Sequence, residues 1–181
     1  MALFGLLRRR KWERAGFQLY TTAVQAARDP YFYDRLAVPD TLDGRFDMIG
    51  LYVSLLIHRL RSAPRPGPDL AQAVFDAMFS DMDHNLREIG VSDMAVGKRM
   101  KAMWEAFHGR AQAYAAAVDA GDEEALAAAI ARNVWRGGEP DSKARALAQL
   151  VASQAEHVAA QGLESLSVGR VDFLPLRRVA A

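Results

Sequence analysis

Two acid-x-x-His pairs, Asp81–His84 and Glu105–His108, are the residues whose types and spacing could support chemistry. A three-residue step on a helix puts both side chains on one face, and di-iron helical bundles hold metal at that spacing. Such a site requires both pairs to point into the bundle centre and glutamates from two more helices to join them. At about 100° per residue, Asp81 and His84 fall roughly 120–180° from the middle of their helix's apolar stripe, and Glu105 and His108 roughly 80–140° from theirs. The inward glutamates are also missing. Asp76, Asp81 and Asp83 lack the glycine and regular oxygen spacing of a calcium loop. There is no Gly-rich phosphate loop and no nucleophile elbow. His58, His84, His108 and His157 are scattered singly, and the absence of cysteine removes thiolate zinc sites and disulfides. The expectation is a protein without catalytic residues, cofactor or metal. A metal-dependent, di-iron-like helical enzyme is the alternative.

The elements that would position these residues are helices. Thirty-three of 181 residues are alanine, 18 of them between positions 111 and 160, and alanine favours helix over strand. The spacing predicts helices over about Lys11–Arg28, Asp43–Arg61, Asp69–Ile89, Met94–Ala120, a stretch after the Asp122 cap up to Gly137-Gly138, and one capped by Asp141 or Ser142 running to Gln161. Tyr31, Phe32, Tyr33 and Leu36 read as a helical turn docking on the core. Gly90 suits a left-handed C-terminal cap, and Ser62–Pro68 is the clearest loop. The expected fold is all-α, a single-domain bundle of six to seven helices, with a basic arm at 1–14, a helical domain at 15–162 and a short irregular tail at 163–181.

Stripes on the fourth and fifth helices (Phe75, Met78, Phe79, Met82, Leu86 and Ile89; Val96, Met100, Met103, Trp104, Phe107, Ala111, Tyr114 and Val118) predict an antiparallel hairpin with ordinary core filling. The alternative there is a plastic, methionine-rich client surface. The third helix is apolar over most of its circumference, leaving Asp47, Ser54, His58 and Arg61 on a narrow strip. Such a helix is central, or else it opens a groove to an apolar partner.

Formal net charge is +1, which argues against a globally basic DNA binder, yet the charge is segregated. Arg8, Arg9, Arg10, Lys11 and Arg14 against Glu13 make the first fourteen residues +4. This segment reads as a foot on an anionic membrane or on ribosomal RNA, or as a frayed terminus. Residues 69–93 carry −5 and residues 94–114 carry +3, which suggests neutralisation across the hairpin and helical pairs Asp83–Arg87 and Lys101–Glu105.

The stretch Phe75–Tyr114, with Phe75-Asp76, Met78-Phe79, Asp81-Met82-Asp83, Leu86-Arg87-Glu88, Gly90-Val91, Asp93, Lys98, Lys101, Phe107 and Gly109-Arg110, resembles the ubiquinol–cytochrome c chaperone family. Gly44-Arg45-Phe46-Asp47 and Ala131-Arg132-Asn133-Val134 look like the family too. The resemblance implies an all-helical, non-catalytic chaperone that binds newly made cytochrome b during assembly of the respiratory bc1 complex. It also implies a small partner protein and the ribosome as partners in mitochondrial members. Their import presequence has no counterpart here, so the expectation is a bacterial protein, cytoplasmic and peripheral at the inner membrane. Gly109 is expected to permit close helix approach, and Arg87 and Arg110 to be paired surface charges. Candidate client or partner contacts are Asp47, Leu51, Leu55, His58, Asp81, Asp83, Arg87, Lys98, Lys101 and Arg110. Candidate membrane or ribosome contacts are Arg8, Arg9, Arg10, Lys11 and Arg14. An RNA- or ribosome-binding adaptor is a further alternative.

Overall fold

A computed structural model describes the backbone of residues 2–176 and the side chains of residues 12–176. Among the described residues the chain is all-α, in eight helical segments: α1 (Ala2–Ala27), α2 (Pro30–Asp34), α3 (Leu42–Arg61), α4 (Gly67–Glu88), α5 (Asp93–Ala120), α6 (Glu123–Val134), α7 (Ser142–Ala159) and α8 (Leu163–Ser167). The boundaries follow local chemistry. Asp29, Thr41, Asp122 and Asp141 each accept a backbone N–H from the first turn of α2, α3, α6 and α7, satisfying donors a helix start leaves open. Gly90 and Gly121 end α4 and α5 at positive φ, a conformation glycine adopts without strain. Two boundaries differ from the spacing. α1 starts at Ala2 rather than Lys11, because the basic run continues the helical register. α6 stops at Val134, short of the glycine pair, where Arg136 turns to a φ of 56°.

The third helix is the central one, and the alternative, an open groove along it, is not found among the described residues. α1, α4, α5, α6 and α7 all pack on α3, and 14 of its 20 residues are buried. Apolar burial of this extent, at roughly 25 cal/mol per Å², is what fixes a helix with so little polar surface.

The remaining helices are assembled around it with different tightness. α1 lies mainly on α4. A Cβ at Gly16 would stand 2.6 Å from the Ala73 side chain, so this glycine sets how closely the two helices meet. The Tyr20 hydroxyl donates to Asp81 Oδ2 at 2.6 Å. Contacts thus advance together along both chains, and α1 and α4 run in the same direction. Their N-termini share one end of the bundle, while the α4–α5 turn stands at the other. Past α8 the chain is extended and held by two glutamine amides used at both ends. Gln154 donates to the Leu174 carbonyl and accepts from Leu174 N at 2.8 and 2.9 Å, and Gln161 does the same with Asp172 at 2.6 and 2.9 Å.

Candidate functional site

The expected hairpin forms, but its core is incompletely closed. α4 packs more on α1 and α3 than on α5, and α5 packs more on α6 and α3 than on α4. Only Val96, Phe107, Tyr114 and Ala117 are buried among the 28 residues of α5.

An aromatic cluster fills the crotch between the two helices. Phe75 stacks on Phe79 at 4.5 Å, both meet the buried Phe107 at 5.8 and 6.2 Å, and His108 links this group to Trp104 at 4.1 Å. The cluster grades outward, from Phe107 inside to Trp104, which is 47% exposed. At the tip Ile89 and Met94 are 59% and 93% exposed, while Met100 and Met103 are partly covered. The expectation that these stripes are ordinary core holds at Met78, Met82, Leu86, Val96 and Phe107, which are buried, and fails at Trp104 and Ile89, which are not. Large apolar side chains left in solvent on one hairpin make it a candidate docking surface.

Charges frame the patch. Arg87 joins Asp83, at 2.7 Å from Oδ2, to Asp93 across the turn, so it staples the base of α5 to the end of α4. Lys101 reaches Glu105 at 3.9 Å and His84 reaches Glu88 at 3.0 Å. Lys98 and Arg99 are exposed and have no acidic partner among the described residues. Neutralisation across the hairpin is thus confined to the Arg87 staple, and the basic flank of α5 stays open.

Deeper in the bundle, the segments that carry the family resemblance meet at one point. Asp47 on α3 is buried and ion-paired to Arg110 on α5 and, at 2.9 Å from Oδ2, to Arg136 just past α6. Tyr114 lies beside them, hydrogen-bonded to Asn133, and burial pushes its hydroxyl up to about 12. Burial also raises the Asp47 carboxyl above its ordinary value, against the pull of Arg110 and then Arg136. Asp47 and Arg110 are therefore structural partners of each other, and the expected surface charge at Arg110 turns inward. The spacing gave no sign of Arg136, since its partner is far away in sequence.

The other candidates are placed as follows. Leu51 and Leu55 are buried in the core, which closes them to any partner in this conformation. His58 Nε2 is 2.8 Å from Asp119 Oδ1, joining α3 to α5. Asp81 holds Tyr20, as above. Asp83, Arg87, Lys98 and Lys101 lie on the hairpin. Arg14 is exposed, while the side chains of Arg8, Arg9, Arg10 and Lys11 lie outside the described residues. Gly109 faces open space, so the close approach expected of it belongs to Gly16. The two acid-x-x-His pairs do not converge, and no group of three or more potential ligands assembles among the described residues. No helix among the described residues is long and apolar enough to cross a membrane.

Known proteins align with this arrangement over nearly its whole length. The frog (Xenopus laevis) ubiquinol-cytochrome-c reductase complex assembly factor 1 is 26% identical over 97% of this chain and 90% of its own. The human protein of that name is also 26% identical, and there the chain spans 60% of the relative's length. A crystal structure of the Cbp3 homolog from Brucella abortus superposes with a TM-score of 0.84 at 37% identity, covering 99% of both chains. Residues 34–173, which include both the Asp47 cluster and the hairpin, match the ubiquinol-cytochrome C chaperone family, and the chain belongs to that family.

Proposed function

We propose that this protein is an assembly chaperone for the ubiquinol–cytochrome c reductase complex and that it holds newly made cytochrome b without a chemical step. The relatives' names support the complex. The observation that carries the mode of action is the uncovered aromatic and methionine surface of the α4–α5 hairpin, with Trp104, Ile89 and Met94 in solvent. Client segments dock there by apolar contact, methionine side chains adapt to varied shapes, and Lys98, Lys101, Asp83 and Arg87 on the rim orient the client by charge. The basic run at 1–14 keeps the protein close to the inner membrane or the ribosome on the cytoplasmic side.

Affinity capture from membranes of the native cell, with cytochrome b quantified, tests this reading. The wild-type chain enriches cytochrome b, and the Ile89→Ser/Met94→Ser/Trp104→Ala variant loses at least tenfold of that enrichment while its helix content and cooperative melting are retained. Equal capture by both proteins, together with normal complex assembly after gene deletion, would sink the proposal.

A further inference from the structure

A second surface lies along the outer side of α1, away from the hairpin. Between α1 and the turn after α8 runs an open groove of ≈ 730 Å³. It exists because Gly169 takes a φ of 79° and sits where a Cβ would come within 2.3 Å of the Gln18 amide oxygen, letting the turn close on α1. Phe17 on one wall and Val168 on the other are 59% and 55% exposed. Arg14 and Arg170 add one exposed cation to each wall, and neither has a carboxylate partner among the described residues. The side-chain amides of Gln18 and Gln25 are likewise uncommitted, and no acidic residue lines the groove. Large apolar groups left in water beside unpaired guanidinium and amide groups have the composition of an interface.

We propose that this groove docks an acidic amphipathic helix of a partner protein distinct from the hairpin's client. The sign of the charge comes from the walls: two free cations and no acid draw carboxylates and repel a basic segment. The length comes from α1, since Arg14 to Gln25 covers about 16 Å, three turns of a partner helix. Its apolar side chains, at helical spacing, meet Phe17 and Val168. A bilayer is the poorer fit, because interfacial helices present a convex apolar face and here the apolar groups line a concavity.

A photo-crosslinking amino acid at Thr21 of the full chain, produced in its native cell, tests the proposal, with adducts mapped by mass spectrometry. The Thr21 hydroxyl bonds only to its own helix at the Phe17 carbonyl, so its replacement leaves the wall intact. The expected adduct is a protein segment of net negative charge. Its yield falls at least tenfold in Arg14→Glu/Arg170→Glu, falls partway in Arg14→Gln/Arg170→Gln, and is unchanged in Trp104→Ala. Adducts to lipid, RNA or a second copy of this chain, a neutral or basic protein segment, no adduct, or a yield indifferent to both arginine pairs would each overturn it.

Discussion

At Asp47 a carboxylate is held inside the bundle by two arginines from different helices, and that balance can be titrated. Removing one partner leaves a buried charge poorly compensated, which costs about 3–5 kcal/mol when nothing else can pair with it. Arg136 remains in Arg110→Ala, so the expected loss is about 2–3 kcal/mol, read from urea unfolding midpoints. The Asp47 carboxyl should also titrate at still higher pH in that variant, visible by carbon NMR. The sign of the pH effect follows from the direction of the shift. The folded chain keeps this proton to higher pH than the unfolded chain, so the contribution is full below about 3.9 and is lost as pH rises through the folded value. The stability difference between wild type and Asp47→Asn should therefore fall with rising pH across that window and flatten above it. A flat difference throughout would refute the raised value. Half of this cluster was legible in the sequence. A lone acid on an apolar helix and a patterned Gly-Arg both drew attention, but their pairing joins positions 63 apart. No local spacing rule reports that.

Helix elements respond to substitution according to what lies above them. Gly109 has nothing within 4 Å of a Cβ position, whereas Gly16 meets Ala73 side chain and backbone inside 3 Å. Gly109→Ala should raise stability by about 0.5–1 kcal/mol through the helix preference of alanine. Gly16→Ala should lower it by about 1–3 kcal/mol through overpacking of α1 on α4. Thermal melting of the two variants checks both signs, and a shared sign would contradict the packing described. Periodicity located every long helix because caps and apolar stripes act locally. It could not tell that the stripes at Trp104 and Ile89 stay uncovered, since coverage depends on where α1, α3 and α6 are spent. The central place of α3 was legible for the opposite reason: a helix apolar nearly all round has few other places to go.

Across the whole molecule, two surfaces of different chemistry are carried on one rigid core. Deleting residues 2–11 should abolish flotation with anionic vesicles at low salt and leave cytochrome b capture by the hairpin within twofold. Loss of both together would mean that the arm and the hairpin form one site. The parallel course of α1 and α4 explains why they should separate. From the level of Ala73, where Gly16 crosses, the hairpin tip at Ile89 lies about 24 Å further along α4, and the basic run lies the other way along α1. Ions at physiological strength damp charge effects within about 8 Å. On the proposed reading, a field of lipid or RNA phosphates at the arm dies out well before the tip. Lys98 and Lys101 would then sense the charge of a client and not that of the phosphates, so that tethering to an anionic surface would leave the proposed recognition end electrostatically blind to it.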